Sequence, residues 1–200
     1  TRYRVLVTDA CGGTTEAGPF SFASTAAAHP SVTINEINRS YPVPGGPKRP
    51  WIELYSGGTT EVDLSGMFLS DDPVSPRKAG LPSGTTIPAG SVLLVITTGE
   101  SLDSYVSVDL DWVRRSGSLY LVDSLERGSC VVDTFAFDFT GLATDVSLGR
   151  DPDGDPSIGV LTTPSPGHRN SVPPLSFVRG DANTDLRVNI LDVIKLVGIL

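Results

Sequence analysis

WIELYSGGTTEVDLSGMFLSDD, residues 51–72, places two short strand patterns and a glycine turn side by side. Trp51, Ile52, Leu54 and Tyr55 suit a pleated, half-buried strand, because aromatic and branched side chains pack well on a pleat. Gly57 and Gly58 supply the turn, Val62 and Leu64 start the next run, and Ser65 with Gly66 breaks it. The stretch holds no catalytic constellation. Its carboxylates and Trp51 are therefore expected to be framework, with Trp51 in the core of the most regular strand.

Working outward, residues 32–38 (VTINEIN) read as a strand and residues 40–50 as a loop dense in proline and glycine. Downstream, turn chemistry at residues 81–84, 88–90, 117, 128 and 153–155 separates strands at 92–97, 118–123 and 131–137. Residues 92–96 are apolar on both faces, as a central strand requires. Short strands at this spacing predict an antiparallel sandwich or barrel. At the N-terminus, Tyr3, Val5 and Val7 alternate with Arg4, Leu6 and Thr8. CGGTTEAG then makes a turn region and residues 19–23 a second strand, so a β-hairpin is expected there. Residues 24–30 (STAAAHP) read as a linker.

The 200 residues carry a net charge of −8, with 21 glycines and 16 prolines breaking up a 39% hydrophobic content. Such an acid balance argues against nucleic-acid binding through phosphates and against attraction to anionic lipid. No apolar run reaches the roughly 20 residues of a transmembrane helix, so no membrane insertion is expected. Because the chain opens on TRYRVLVTD without methionine, Thr1 reads as an internal position of a longer protein. Cys11 and Cys130 are too few to define a disulfide framework. They pair with each other, stay separate buried thiols, or one pairs elsewhere.

The order of several of these pieces resembles the lamin tail domain, an immunoglobulin-like β-sandwich found in many secreted bacterial proteins. The residues that carry the resemblance are INEI (34–37), WIELY (51–55), VDLSG (62–66), LSDD (69–72), PSGTTIPAG (82–90), SLGRDPDG (147–154) and TPSPGHRN (163–170). Ser56 stands where that pattern usually has asparagine, and Met67 where it usually has an aromatic. The N-terminal hairpin resembles the last two strands of a fibronectin type III or immunoglobulin-like domain.

After a proline-bearing linker at residues 171–178, the chain ends in FVRGDANTDLRVNILDVIKLVGIL. Asp181, Asn183, Asp185, Asn189 and Asp192 fall at positions 1, 3, 5, 9 and 12 of an EF-hand-like loop, with the backbone carbonyl of Arg187 at position 7. Calcium wants six to eight oxygens, and this spacing wraps them around one point. The sixth residue, normally glycine, is Leu186, for which a left-handed conformation costs roughly 1–2 kcal/mol. Either the loop binds calcium with reduced affinity, or it is only an Asx-rich turn before a helix. From Ile190 the pattern is helical, with Leu191, Ile194 and Val197 on one side. The segment resembles the first half of a type I dockerin, which implies calcium as cofactor and a cohesin-like extracellular protein as partner.

Other candidates are weaker. Asp151, Asp153 and Asp155 could cluster around a cation but read first as a turn, as do Asp63, Asp71 and Asp72. His29 and His168 read as surface residues. Arg114 and Arg115 after Trp112 could grip a ligand, and Trp51, Trp112 and the tyrosines could form an aromatic platform for carbohydrate.

The sequence thus predicts an all-β, immunoglobulin-like antiparallel β-sandwich with an N-terminal β-hairpin and a short C-terminal calcium-loop helix. Its parts are the end of an immunoglobulin or fibronectin III-like domain at 1–25, a linker at 26–31, the sandwich at 32–170, a linker at 171–178 and the dockerin-like module at 179–200. The expected role is a non-catalytic structural and interaction region of a secreted, multi-domain bacterial protein. The alternative is the accessory substrate-binding region of an extracellular nuclease, protease or glycosidase.

Overall fold

A computed structural model describes residues 5–8, 14–17, 29–43, 48–100 and 105–170. All of them belong to the first of two units, residues 1–170; the second, residues 171–200, lies outside the described residues.

Near the N-terminus β1 (Val5–Thr8) pairs antiparallel with β2 (Thr14–Ala17). The pairing partner is thus TTEA, read from sequence as turn. Thr14 and Thr15 are β-branched and suit an extended chain, and they leave a shorter connection than a strand at 19–23 would.

The sandwich begins with β3 (Val32–Pro42) and β4 (Lys48–Ser56), followed by β5 (Val62–Asp63), β6 (Phe68–Ser70), β7 (Ala79–Gly80), β8 (Thr86–Ile87) and β9 (Val92–Ile96). It continues with β10 (Val106–Ser107), β11 (Ser116–Val122), β12 (Val131–Asp138), β13 (Ser147–Gly149) and β14 (Gly159–Leu161). One sheet has the order β10-β9-β4-β3-β13-β14, the other β12-β11-β6-β7, and β5 pairs with β8. All pairings are antiparallel except β10 on β9. The protein is an all-β immunoglobulin-like sandwich.

Strand alternation explains the core. Ile34, Ile37, Ile52, Leu54 and Val95 of the first sheet and Leu69, Leu119, Leu121, Phe135 and Phe137 of the second are buried in one hydrophobic cluster. Each such side chain contributes on the order of 1.5–3 kcal/mol of burial. Met67, in place of an aromatic, is fully buried in the same cluster. The apolar character of β9 on both faces also has its reason: Val95 joins this core, while Leu94 and Ile96 join Trp51 and Val43 in a second cluster.

Two segments differ from the expectation set by their sequence. Residues 40–50 are not all loop, since β3 runs to Pro42 and β4 starts at Lys48. Gly117 lies inside β11 opposite Phe137 rather than in a turn. A Cβ there would come within 3.2 Å of the Phe137 ring, so the glycine admits the ring rather than bending the chain.

Two irregularities in the β3–β4 pairing set the chemistry. The register runs Ile34↔Leu54, then Glu36↔Glu53, leaving Asn35 as an extra residue. It then breaks again between Asn38↔Trp51 and Tyr41↔Arg49, so that Arg39 and Ser40 oppose Pro50 alone. Bulges re-aim side chains, and each of these two does so at a polar site.

Candidate functional site

Asp181, Asn183, Asp185, Arg187, Asn189 and Asp192 lie outside the described residues. Among the described residues no group of three or more His, Cys, Asp or Glu side chains could hold a metal ion. Three of the acidic residues singled out from sequence are engaged locally. Asp63 accepts the Ser65 N–H, Asp72 the Val74 N–H and Asp155 the Ser157 N–H, each as a turn.

The first bulge creates a buried acid cluster. By displacing Asn35 it turns Glu36 and Glu53 onto the same face of adjacent strands, and both side chains are fully buried. Residues 163–170 close over them, with Pro164 and Pro166 buried on either side of Ser165. Glu36 accepts the Ser165 N–H (3.1 Å), the Ser165 hydroxyl (2.8 Å) and the Ser147 hydroxyl. Glu53 accepts the Gly167 N–H (2.8 Å) and the Asn35 amide (3.2 Å). Asn35 also donates to Asp153 (2.9 Å) and accepts the Gly154 N–H (3.1 Å). Asp153 in turn receives Arg169 Nε (2.7 Å) and the Asn170 N–H (2.8 Å).

Burial raises the pKa of both glutamates. For Glu36 the Ser147 and Ser165 hydrogen bonds oppose it and the Asp153 charge adds to it. Glu53 is pushed up to about 8, by burial first and then by the charges of Glu36 and Asp153, against the Asn35 and Gly167 hydrogen bonds. At neutral pH Glu53 therefore stays largely protonated. Packing here is tight: a Cβ on Gly149 would fall 2.5 Å from Leu161 Cδ1 and 2.9 Å from Asn170 Nδ2. The cluster is a clamp that fastens residues 163–170 to the sheet.

Three further carboxylates, Asp71, Asp123 and Asp133, are likewise paired internally. Burial would raise Asp71, but Lys78 (2.7 Å) and Arg114 outweigh it and hold the carboxyl below its ordinary range. Arg114 is thus a structural partner. Burial would also raise Asp123, but hydrogen bonds from His29, the Ser124 N–H and Arg127 hold it low. His29 Nδ1 lies 2.8 Å from Asp123, so this histidine is a tertiary contact and not a bare surface residue. His168 is exposed. Arg150, nearly buried, donates to the Ile34 carbonyl (2.8 Å), the Asp155 carbonyl (2.6 Å) and both Asp133 oxygens (3.0 and 3.2 Å).

An aromatic platform built on the tryptophans is ruled out, because Trp51 and Trp112 are both 0% exposed. Trp112 donates its Nε1–H to Thr97 (2.9 Å) and packs edge-on against Phe137 at 5.6 Å. Cys130 is disulfide-bonded and so not a free thiol; Cys11, the chain's other cysteine, lies outside the described residues.

The second bulge leaves a different kind of site, which sequence reading missed. A cleft of about 230 Å³ is lined by Arg39, Ser40, Val113, Phe139, Thr144 and Val146. The Arg39 guanidinium lies 4.6 Å from the centre of the Phe139 ring. Among the described residues the Arg39 side chain makes no hydrogen bond or ion pair. No sequence signal marks Arg39, since its bulge and its aromatic floor come from segments a hundred residues apart.

The family model for the lamin tail domain matches residues 25–138. No curated protein and no solved structure matches the chain. The matched span runs from before β3 to the end of β12, and β13 and β14 complete the first sheet beyond it. With more than half of its length matched and the sandwich in place, the chain belongs to the lamin tail domain family.

Proposed function

We propose that the chain is a non-catalytic structural and interaction region of a secreted, multi-domain bacterial protein. The observation that carries this reading is the state of its buried charges. Glu36, Glu53, Asp71, Asp123, Asp133 and Asp153 each bind donors of the same fold, so they act as clamps rather than as acids or bases facing a substrate. The disulfide at Cys130 supports an oxidising, extracellular location. In this reading the sandwich presents residues 179–200, whose Asp181, Asn183, Asp185, Asn189 and Asp192 side chains and Arg187 carbonyl hold calcium and whose helix docks a cohesin-like protein. The oxygen-rich spacing supports calcium, and Leu186 in place of glycine implies weaker binding than an intact loop.

Calorimetric titration of the chain with calcium tests it. Saturable binding that is lost in Asp181→Ala, together with calcium-dependent retention of a cohesin domain, is the expected result. Absence of both would overturn the calcium-dependent part of the reading.

A further inference from the structure

We propose that the Arg39–Phe139 cleft is a binding site for the free C-terminal carboxylate of a partner peptide ending in an aliphatic residue. The fold leaves one partly buried cation without an anionic partner among the described residues. The described carboxylates near the sandwich core are saturated, and Arg150, Arg127, Arg114 and Arg169 have anionic partners. Arg39 is half-buried and has none among the described residues. In a protein of net charge −8 an unpaired, partly desolvated guanidinium is a local exception, and its natural complement is an anion.

The bulge sets where it stands. Arg39 and Ser40 oppose only Pro50, which has no N–H, and the Ser40 N–H turns back to Asn38 Oδ1 (2.7 Å). The Phe139 ring then carries the guanidinium on its face. The ring is itself fixed, lying 6.0 Å from Phe137 with the Phe139 N–H bonded to the Arg115 carbonyl (2.7 Å). A pre-oriented guanidinium fork binds a carboxylate bidentately at low entropic cost.

Size and lining choose among carboxylates. The volume of about 230 Å³ is below that of drug-sized pockets and suits one side chain. Val113, 46% exposed, together with Val146 and Phe139 gives that side chain an apolar seat beside Arg39. A C-terminal aliphatic residue carries both the apolar group and the carboxylate on one Cα, so a single residue meets both needs. An aspartate or glutamate within a peptide brings charge without the apolar part. Asp138 and Asp145, next in the chain to Phe139 and Val146, are exposed and do not line the cleft, and Asp138 accepts the Thr140 N–H (2.8 Å). A larger hollow, lined by Pro82, Glu100 and Tyr105 among others, makes no comparable case, since Glu100 already pairs with Arg49.

The test is calorimetry on the full 200-residue chain with chelator present, so that its outcome is independent of the calcium loop. The probes are an acetylated tetrapeptide ending in leucine with a free carboxylate, the same peptide amidated, and hexanoate. The expected result is binding of the free acid at least about tenfold tighter than the amide, with hexanoate weaker than the acid peptide. Arg39→Gln should bring the acid down to the level of the amide, and Arg39→Lys should restore part of the difference because it keeps charge without the planar fork. Should Arg39→Gln fail to fold, Val113→Asp at the exposed rim decides, and it should weaken the acid selectively. Equal affinity for acid and amide, hexanoate as tight as the peptide, no binding at millimolar concentration, or insensitivity to these substitutions would each overturn the proposal.

Discussion

Arg150 and Arg39 both lie over a phenylalanine of the same strand or its immediate continuation, at 5.6 Å from Phe135 and 4.6 Å from Phe139. Their surroundings differ in one respect that decides what each is for. Arg150 gives its donors to two backbone carbonyls and to Asp133, whereas Arg39 makes no side-chain hydrogen bond or ion pair among the described residues. A guanidinium that is buried must be satisfied internally, so Arg150 has become part of the framework. A half-buried one can keep its donors for something outside. The difference is set by neighbouring segments and not by residue type.

Removing the framework arginine should have the largest effect. Arg150→Ala should cost about 3–5 kcal/mol in urea unfolding, because it strands the Asp133 charge and two carbonyls. A loss below about 1 kcal/mol would show that Arg150 is no more structural than Arg39. Glu36→Ala should follow with roughly 3 kcal/mol, since it leaves the Ser165 N–H and the Ser147 hydroxyl without their acceptor. Limited proteolysis should then cut within residues 163–170 first.

A smaller, graded effect is expected from pH. Glu53 rises from an ordinary value of 4.5 to about 8 in the fold, so it binds its proton more tightly folded than unfolded. The stability it contributes is full below about 4.5 and is lost as pH climbs to about 8. Asp71 and Asp123 run the other way: their folded values are depressed, so their contribution is lost as pH falls through the ordinary 3.8 and below. Melting temperature should therefore peak in mildly acidic buffer, and Glu53→Gln should flatten the decline on the alkaline side. A melting curve unchanged between pH 5 and 8 in the unmodified chain would contradict the protonated clamp. Least of all, Arg39→Ala should change stability by under about 1 kcal/mol, the size of one cation–π contact, as read by thermal unfolding.

Much of the architecture was legible because it is written in a local period. The alternation in WIELY and in residues 131–137 puts Ile52, Leu54, Phe135 and Phe137 on one core, and residues 92–96 show their double-sided burial as an unbroken apolar run. The framework role of Trp51 and Glu53 followed from their place in a regular strand. The roles of His29 and Gly117 did not, because each depends on a contact far along the chain: His29 on Asp123, and Gly117 on the ring of Phe137. Arg39 was invisible for the same reason. Nothing in INEINRSYP announces two bulges, and without them Glu36 and Arg39 would point elsewhere.

The sandwich and its family pattern are readable along the chain, since strand period, turn residues and apolar faces are properties of neighbouring residues. So is the oxygen-bearing spacing from Asp181 to Asp192, which is likewise local. Which charges are spent and which are left over is settled by the folded arrangement. That outcome depends on desolvation and on donors brought from distant segments, as when Ser165 and Gly167 come to rest on Glu36 and Glu53 while Arg39 is left at the edge of a cleft.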